Sequence, residues 1–395
     1  ISASTNAGLY YQWENFANFM KSIDMHNFTL MLGTSYSEPY STSVSATGDE
    51  IIKDDPLFRD LNYLTATATK SVSGGYSNYG RQFSYFGRIM YNYAEKYFLQ
   101  ASLRRDAYDT SILPKENRWG TFPAISAGYT ISNEEFFPKD IPVSFLKLRA
   151  SWGQNGSIGP LGGFAYRAAI SSSTSYPFTE DIAYQVASNP TTLDNPELKW
   201  ETSEQLDFGL DLRAFKDRLS FTVDYFDKKT KGLLVSTVPP YETGVSSVVV
   251  NGGNVSNKGF EFEIGWREKV NDFSYSITGN LSTLKNKVTY LDPSISRIDG
   301  ASFHTNSGIT AFEKGYPVWY MRGYQLENID NETGDPIFVD QLTVDTNGDG
   351  KPDAADGIID DNDKVMLGKG FPDFTYGITL NASYKGLDLT VFGTG

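Results

Sequence analysis

Stretches of about ten residues in which apolar and polar side chains alternate recur along the chain, and this pattern constrains the fold more than any other feature. In one example, residues 206–213 alternate, a short turn follows at 216–218, and residues 219–225 alternate again. Because successive side chains of a β-strand point to opposite faces, this pattern predicts a hairpin with one apolar and one polar face. Hairpins of this length, joined by short and long connections in turn, are typical of a transmembrane β-barrel.

The number of strands follows from the connections. Six short connections are predicted near residues 20–26, 94–96, 133–144, 216–218, 269–272 and 385–386. They join twelve predicted strands at 8–19 and 27–37, 81–93 and 97–107, 118–132 and 145–155, 199–215 and 219–234, 258–268 and 273–290, and 373–384 and 387–395. The segments between these hairpins are long and polar: 38–80, 108–117, 156–198, 235–257 and 291–372. Such segments are uncommon in compact soluble domains, whereas outer-membrane barrels carry long external loops.

The two faces of the predicted strands differ in charge. Phe221, Val223 and Ile264 lie on the apolar face, and Thr222 and Glu263 lie on the polar face, where the charges collect. A charged side chain at the centre of the lipid face costs ~2–4 kcal/mol, so we expect the apolar face to contact lipid and the polar face to line a wet lumen. An antiparallel sheet of a soluble protein with one solvated face is the alternative.

Composition limits the other classes of protein. The chain has 395 residues, of which 39% are hydrophobic, and no apolar run approaches the ~20 residues of a spanning helix. Aromatic residues reach 14%, which suits girdles at two membrane interfaces. A net charge of −14 argues against a nucleic-acid-binding protein, and the lack of cysteine excludes disulfide scaffolds and thiolate sites.

The two ends of the sequence suggest a partial barrel. Residues 1–4 have neither the basic start nor the apolar core of a signal peptide, and residues 390–395 lie inside a predicted strand. An open strand edge would leave backbone groups unpaired in lipid. We therefore expect residues 1–395 to be a partial β-barrel domain of a longer protein.

Several blocks of sequence resemble the barrel of SusC/RagA-type TonB-dependent transporters. They are residues 198–211, 224–234, 253–261, and 372–377 with 384–389, and they lie in the order and spacing of that family. The resemblance implies a roughly 22-stranded antiparallel barrel in the bacterial outer membrane, filled by a plug domain. The plug domain, the TonB box and the closing strands have no counterpart in residues 1–395.

The same resemblance implies a function and partners. It implies active import of a large nutrient, an oligosaccharide or a peptide, driven by the TonB–ExbB–ExbD complex and capped by a SusD-like surface lipoprotein. A passive porin, or a surface-binding adhesin barrel built on the same wall, is the alternative function. A plug domain and TonB box in the full-length protein would distinguish active import from a porin.

One external segment, residues 345–356, has the ligand spacing of a calcium loop. Oxygen-bearing side chains stand at positions 1, 3, 5, 9 and 12, with Gly350 at position 6, as in an EF-hand-type loop. The candidate ligands are the side chains of Asp345, Asn347, Asp349, Asp353 and Asp356 and the main-chain carbonyl of Lys351. We therefore predict a structural Ca²⁺ ion, and the acidic stretch 360–363 could complete this site or add a second one. The alternative is an Asp/Asn/Gly-rich turn without a metal.

Other candidate sites are weak. The sequence has no P-loop, nucleophile elbow or HExxH pattern, and its two histidines, His26 and His304, lack partners at the spacing of a metal site or a triad. Glu261 and Glu263 could imitate a glycosidase pair, but we interpret them as charges lining the lumen. We therefore expect no enzymatic activity.

Aromatic residues in two predicted loops leave two interpretations open. The stretches 76–79 and 316–320 could stack on sugar rings, or they could pack within the loops. We favour packing.

Overall fold

A computed structural model describes residues 1–159, 161–177, 184–300 and 308–395. Almost all regular structure in these ranges is β-strand. The strands are β1 (Ser2–Ile23), β2 (His26–Gly48), β3 (Lys70–Ser77), β4 (Gln82–Tyr93), β5 (Tyr97–Tyr108), β6 (Trp119–Thr130), β7 (Val143–Ser157), β8 (Ile170–Pro177), β9 (Tyr184–Pro190), β10 (Glu201–Ala214), β11 (Leu219–Thr237), β12 (Val248–Val270), β13 (Phe273–Thr283), β14 (Lys285–Leu291), β15 (Arg297–Asp299), β16 (Thr310–Glu313), β17 (Tyr320–Tyr324), β18 (Leu326–Ile329), β19 (Pro336–Phe338), β20 (Lys364–Gly368), β21 (Phe374–Tyr384) and β22 (Leu387–Thr394). The helical elements are single 3₁₀ turns at Pro56–Phe58, Leu61–Tyr63, Ile131–Asn133, Tyr241–Thr243 and Asp361–Asp363. Within the described ranges, no helix has the length and apolar character needed to span a membrane.

Twelve strands form one continuous antiparallel sheet, which we call the wall. Its order is β1-β2-β4-β5-β6-β7-β10-β11-β12-β13-β21-β22, with β3 added beside β2 and β14 beside β12. Each of the six predicted hairpins is a pair of neighbouring wall strands, so the prediction of an antiparallel barrel sheet is confirmed.

Several strands are longer than their predicted ranges. β2 continues to Gly48 rather than ending at 37, and β12 begins at Val248 rather than at 258. β14 continues the register of β13 along β12, since Glu261 pairs with Ser282 and Lys258 pairs with Lys285. These extensions are rich in Ser, Thr, Asn and Gly and have no strict alternation, because the period of two depends on one face contacting lipid.

The connections alternate in length around the wall. The short turns at 24–25, 94–96, 131–142, 215–218, 271–272 and 385–386 all lie at one rim, which we call the turn edge, and the long connections lie at the opposite rim, the loop edge. Asp24, Asn271 and Lys385 have φ values of 51°, 54° and 47°. Left-handed residues suit tight hairpin turns because such turns match the twist of the flanking strands.

Cross-strand pairing sorts the two faces of the wall as predicted. Phe221 pairs with Ile264 and Val223 with Phe262 on one face, whereas Thr222 pairs with Glu263 on the other. The apolar face lies open, and Ile264 is 53% exposed. In the middle of the central strands, the charged residues Arg149, Asp211, Asp224 and Glu263 therefore share the opposite, lumen-facing side.

Aromatic side chains mark both rims of the apolar face. At the turn edge, Tyr97 stacks on Tyr129 with ring centroids 5.0 Å apart, and at the loop edge Tyr225 lies 5.1 Å from Phe260. The turn-edge girdle comprises Tyr93, Tyr97, Tyr129, Phe215, Trp266, Phe273 and Tyr384, and the loop-edge girdle comprises Tyr85, Trp119, Tyr225, Phe260, Phe374 and Tyr376. On β4 the girdle positions are separated by about 26 Å along the strand at ~3.3 Å per residue. At the ~35–45° tilt of barrel strands this separation corresponds to roughly 20 Å of height, close to the ~25 Å apolar band of an outer-membrane barrel.

The connections at the loop edge form a packed layer, the loop layer, with two buried clusters. The first core comprises Ile112, Leu113, Phe122, Leu198 and Trp200. The second core comprises Val255, Val288, Leu291, Ile295 and Phe312. A small sheet in the order β15-β16-β17-β20 and the hairpins β8–β9 and β18–β19 complete the layer in the described residues.

Candidate functional site

The lumen face of the central wall strands carries a charged cluster built around Arg149. Its Nε donates to Asp211 Oδ2 at 2.7 Å, and one of its terminal nitrogens lies 3.0 Å from Asp224 Oδ1. The three residues come from β7, β10 and β11, and the cross-strand register places all three on the lumen side. The guanidinium therefore ties three neighbouring strands together.

Gly209 makes room for this cluster. It lies between Arg149 and Asp224 in the register, pairing with each of them across the sheet. A Cβ atom at Gly209 would stand 2.7 Å from the guanidinium carbon of Arg149 and would also clash with Asp224 Oδ1. Only glycine lets the arginine lie flat across β10, so the position of the ion pair depends on this residue.

A groove of about 560 Å³ lies beside the Arg149 cluster on the lumen face. Asn27, Met90, Phe98, Lys147 and Asp207 are among its lining residues. The Nζ atom of Lys147 lies over the ring of Phe98, 4.4 Å from its centroid, in a cation–π contact. The groove thus offers charged, amide and aromatic groups to whatever fills the lumen.

Glu261 and Glu263 lie on the same face, on β12, the strand next to β11 of the cluster. Glu261 pairs across the sheet with Asp224, and Glu263 pairs with Thr222. Their placement on the lumen face agrees with the interpretation that they line the lumen. His26, at the turn edge, lies 2.9 Å from the hydroxyl of Tyr91, and His304 lies outside the described residues.

In the predicted calcium loop, the side-chain oxygens accept hydrogen bonds from the loop's own backbone. Asp345 accepts from the N–H groups of Gly348 and Gly350, both at 2.7 Å. Asn347 accepts from Asp349, and Asp349 accepts from the N–H of Lys351. The loop therefore wraps around Asp345, with Gly350 at the sharp turn that the sequence predicts.

The far half of this loop is closed by other contacts. Asp353 accepts from the N–H of Thr346 at 2.8 Å, and Asp356 accepts from Ile358 at 2.9 Å. An antiparallel bridge between Val344 and Ala354 closes the base of the loop. Within the described part of the chain, no three His, Asp or Glu side chains are arranged to hold a metal ion. The calcium site stays a prediction.

Three groups near the base of this loop were not expected from the sequence. Asp340 Oδ2 accepts from the N–H of Gly357 at 2.8 Å, but Asp340 Oδ1 is buried without a hydrogen-bond partner in the protein. Gln341 and Thr343 each also have one buried polar side-chain atom without a hydrogen-bond partner in the protein. No spacing signal identifies these residues, because their burial depends on how the loop folds back.

The second acidic stretch, residues 360–363, forms ion pairs and hydrogen bonds with neighbouring segments of the loop layer. Asp361 forms ion pairs with Lys364, Arg322 and Arg297, whose nitrogens lie 2.9, 2.9 and 3.1 Å from its carboxylate. These contacts, that of Lys364 above all, hold the pKa of Asp361 well below its usual range. Asp363 is almost fully buried and accepts from the N–H groups of Gln341 and Asp360. These two carboxylates already have protein partners.

The loop aromatics contact other aromatic side chains. Tyr76 contacts Tyr40 with centroids 5.0 Å apart, and Tyr316 stacks on Tyr320 at 4.6 Å. Tyr320 is 3% exposed, and its hydroxyl donates to Glu313 at 2.6 Å. The burial of Tyr320 agrees with packing, whereas Tyr76 and Tyr316 are 57% and 39% exposed, so for them the packing interpretation stays a prediction.

Comparisons with known proteins agree with this architecture. A family model described as "TonB dependent receptor-like, beta-barrel" matches residues 2–390. TonB-dependent receptor P3 of Formosa agariphila is 32% identical over 389 residues, which cover 96% of this chain and 38% of that protein. TonB-dependent receptor SusC of Bacteroides thetaiotaomicron is 29% identical over 388 residues, covering 95% of this chain and 36% of SusC. The chain thus spans less than two fifths of the length of these relatives.

Among solved structures, the RagAB peptide importer in its "closed-closed" state has the same fold. The TM-score is 0.78 at 24% identity, over 100% of this chain and 42% of that chain. The importer in its "open-open" state gives a TM-score of 0.77. From the family match, the strand-only wall and these relatives, we conclude that the chain belongs to the TonB-dependent receptor-like β-barrel family and is an outer-membrane protein of the SusC/RagA type.

Proposed function

We propose that the full-length protein actively imports a large nutrient, an oligosaccharide or a peptide, across the outer membrane. The observation that carries this proposal is a twelve-stranded wall with an apolar outer face and a charged lumen face, matched along nearly its whole length by a family of TonB-dependent receptors. In the proposal, energy comes from the TonB–ExbB–ExbD complex, and a SusD-like surface lipoprotein is the partner. The name of the RagAB peptide importer supports peptides as one cargo class.

The wall is proposed to form part of a roughly 22-stranded barrel whose lumen holds a plug domain. The Arg149 cluster would then face the plug or the passing cargo. Because Arg149 is paired with both Asp211 and Asp224, the cluster fixes the local shape of the lumen and leaves one net negative charge there. Glu261 and Glu263 line the same lumen, and no residue is assigned a catalytic role.

Transport by the full-length protein tests the proposal. Uptake of fluorescent oligosaccharide and peptide mixtures should be measured in cells with and without a functional TonB. We expect uptake of at least one mixture to depend on TonB, and we expect a SusD-like lipoprotein to co-purify in near-equal amount in mild detergent. TonB-independent diffusion of small solutes through a barrel purified alone would favour the porin alternative. Surface binding of cargo without uptake would favour the adhesin.

We also propose that the loop 345–356 binds a structural Ca²⁺ ion. The N–H groups of Gly350 and Gly348 lower the pKa of Asp345, so this carboxylate is ionised at neutral pH. The buried, unpartnered Asp340 Oδ1 lies at the base of the same loop and fits a cation nearby. The side chains of Asp345, Asn347, Asp349, Asp353 and Asp356 and the carbonyl of Lys351 would hold the ion, which would supply loop rigidity and no chemistry.

A double substitution tests the calcium proposal. Asp345→Ala with Asp349→Ala should abolish calcium in metal analysis of the pure protein and should increase proteolysis within residues 340–365, while the wall keeps its heat-resistant migration on a gel. Asp330→Ala is the matched control, because Asp330 caps a turn in the same region outside the candidate loop. If the wild-type protein contained no calcium, or if chelation left proteolysis unchanged, the turn-only alternative would be correct.

A further inference from the structure

Five lysines lie together on the outer face of the wall, immediately beyond the loop-edge girdle. Their shared face follows from the register: Asp227 pairs with Lys258, which pairs with Lys285, and the next row runs from Lys229 through Ser256 to Lys287. The lysine patch comprises Lys229, Lys231, Lys258, Lys285 and Lys287.

The height of the patch relative to the membrane is set by the girdle. Tyr225 pairs with Phe260 in the loop-edge girdle, and the Asp227–Lys258 pair is the next one on the same face towards the loop edge. Two residues along a strand correspond to about 7 Å. Because the long loops of an outer-membrane barrel are external, the patch lies at the level of the outer-leaflet headgroups.

The patch carries more positive charge than its own carboxylates can neutralise. Asp227 lies 3.0 Å from the Nζ of Lys258 and 3.4 Å from that of Lys229. Glu204 lies 2.7 Å from the Nζ of Lys231. Five lysines against these two carboxylates leave three positive charges.

Two of the five lysines are not paired with either of these carboxylates. Lys285 and Lys287 are exposed, and neither forms an ion pair with the described residues. Lys285 stands directly opposite Lys258 in the sheet. Like charges in this arrangement are destabilising, so a bound anion would relieve a repulsion that the protein itself leaves in place.

We propose that the lysine patch binds the phosphate groups of glycolipid headgroups in the outer leaflet. The apolar face runs without interruption from the girdle to the patch, so lipid that packs on Phe260 and Tyr225 brings its headgroup to these lysines. Ammonium groups bind phosphate as point charges, and clustered lysines at a membrane surface recognise anionic lipid. An acidic protein surface at this position would have to displace the lipid around the barrel. The inference rests on the position of the wall in the membrane and not on the proposed cargo or energy source.

Binding of lipid A to the full-length protein tests the proposal. The protein should be placed in nanodiscs of phosphatidylcholine with or without lipid A, and lipid A retention and thermal stability should be measured. We expect wild-type protein to retain lipid A and to unfold at a higher temperature when it is present. Lys285→Gln with Lys287→Gln should weaken retention roughly tenfold or more, in line with the contribution of individual lysines near anionic membranes. Lys285→Arg with Lys287→Arg should retain most of the binding.

The matched control lies at the opposite rim. Lys21 is on the same outer face near the turn edge, where it pairs with Phe28, and Lys216 lies in a short turn. Lys21→Gln with Lys216→Gln should leave lipid A retention unchanged. The proposal is overturned if the Lys285/Lys287 glutamine variant retains lipid A as wild type does, or if wild type binds dephosphorylated lipid A equally well. Loss of the lipoprotein partner with unchanged lipid A binding would assign the patch to a protein interface instead.

Discussion

The wall and the loop layer of this chain are stabilised in opposite ways. The wall is a single sheet, and large side chains such as Ile264 and Phe208 stay more than half exposed on its outer face. The loop layer has buried cores, where Leu113, Leu198 and Val288 are fully excluded from solvent. Lipid therefore supplies the apolar surroundings of the wall, whereas the loop layer must supply its own. One chain thus combines membrane-protein and globular-protein stability on two sides of the loop-edge girdle.

The largest expected effect lies in the loop layer. Trp200 packs against Phe122 and Tyr108, and its Nε1 donates to the carbonyl of Arg118 at 3.1 Å. Trp200→Ala should cost ~3–5 kcal/mol of local stability because it opens a cavity in the first core. Limited proteolysis should detect faster cutting in residues 108–117 and 195–200 while the wall keeps its heat-resistant migration. Tyr241→Ala is the control, since Tyr241 is 98% exposed and its loss should change little. Equal effects of the two substitutions would show that the loop layer has no core of its own.

A charge introduced on the lipid face tests how the wall is stabilised. Ile264→Arg should destabilise the wall by ~2–4 kcal/mol, because the guanidinium would lie in the apolar band. Thr278→Arg, on the lumen face of β13, should be tolerated much better. Unfolding in lipid vesicles, followed by tryptophan fluorescence in denaturant, measures the difference. Comparable destabilisation by both variants would contradict the assignment of the apolar face to lipid.

The Arg149 cluster gives a smaller effect on the lumen side. Gly209→Ala should push Arg149 away from Asp224 and destabilise the wall by ~1–3 kcal/mol, as overpacking usually does. Gly279→Ala is the control, because the nearest atom to a Cβ there is 3.6 Å away. The same vesicle unfolding measurement applies. If the Gly209 variant were as stable as the Gly279 variant, Arg149 and Asp224 could separate without a loss of folding free energy.

The smallest effect concerns the pH response of the loop layer. The pKa of Asp361 is depressed in the folded protein, so its contribution to stability is present above the unfolded value of ~3.9 and is lost as the pH falls through the lower folded value. Proteolysis of residues 308–372 in wild type should therefore change little between pH 7 and pH 4. Asp361→Asn should raise proteolysis modestly across that window by removing the ion pairs with Arg297, Arg322 and Lys364. A wild-type loop that loosened already near pH 5 would contradict this assignment.

The sequence predicted the wall well because lipid imposes a period of two on it. The pairing of Leu210 with Val223 follows from alternation and one short turn, and both can be read locally. The loop layer could not be predicted in this way. Its cores bring together residues such as Leu113 and Leu198, or Val255 and Phe312, whose separation along the chain leaves no periodic signal.

The candidate sites also divide into one that consecutive residues predict and others that depend on contacts between distant residues. The calcium loop was predicted from spacing within twelve consecutive residues and stays a prediction, and Gly350, with a φ of 83°, lies at the expected turn. The Arg149 cluster was not identified, because it spans strands that a long connection separates and depends on the missing side chain of Gly209. The partners of Asp361 were missed for a related reason: Arg297 and Arg322 lie on different strands of the small sheet in the loop layer.

The strands that continue past the loop-edge girdle have a consequence for capture. Residues 248–258 of β12 extend beyond Phe260 for about 33 Å along the strand. They pair with β11 on one side, and residues 253–258 pair with β14 on the other. This part of the rim is therefore a hydrogen-bonded collar whose backbone is already ordered. A molecule that settles on this collar does not have to order those residues, so little of its binding free energy is lost to conformational entropy. In the proposed importer, a stiff rim of this kind would favour rapid and reversible capture of cargo over slow engulfment by disordered loops.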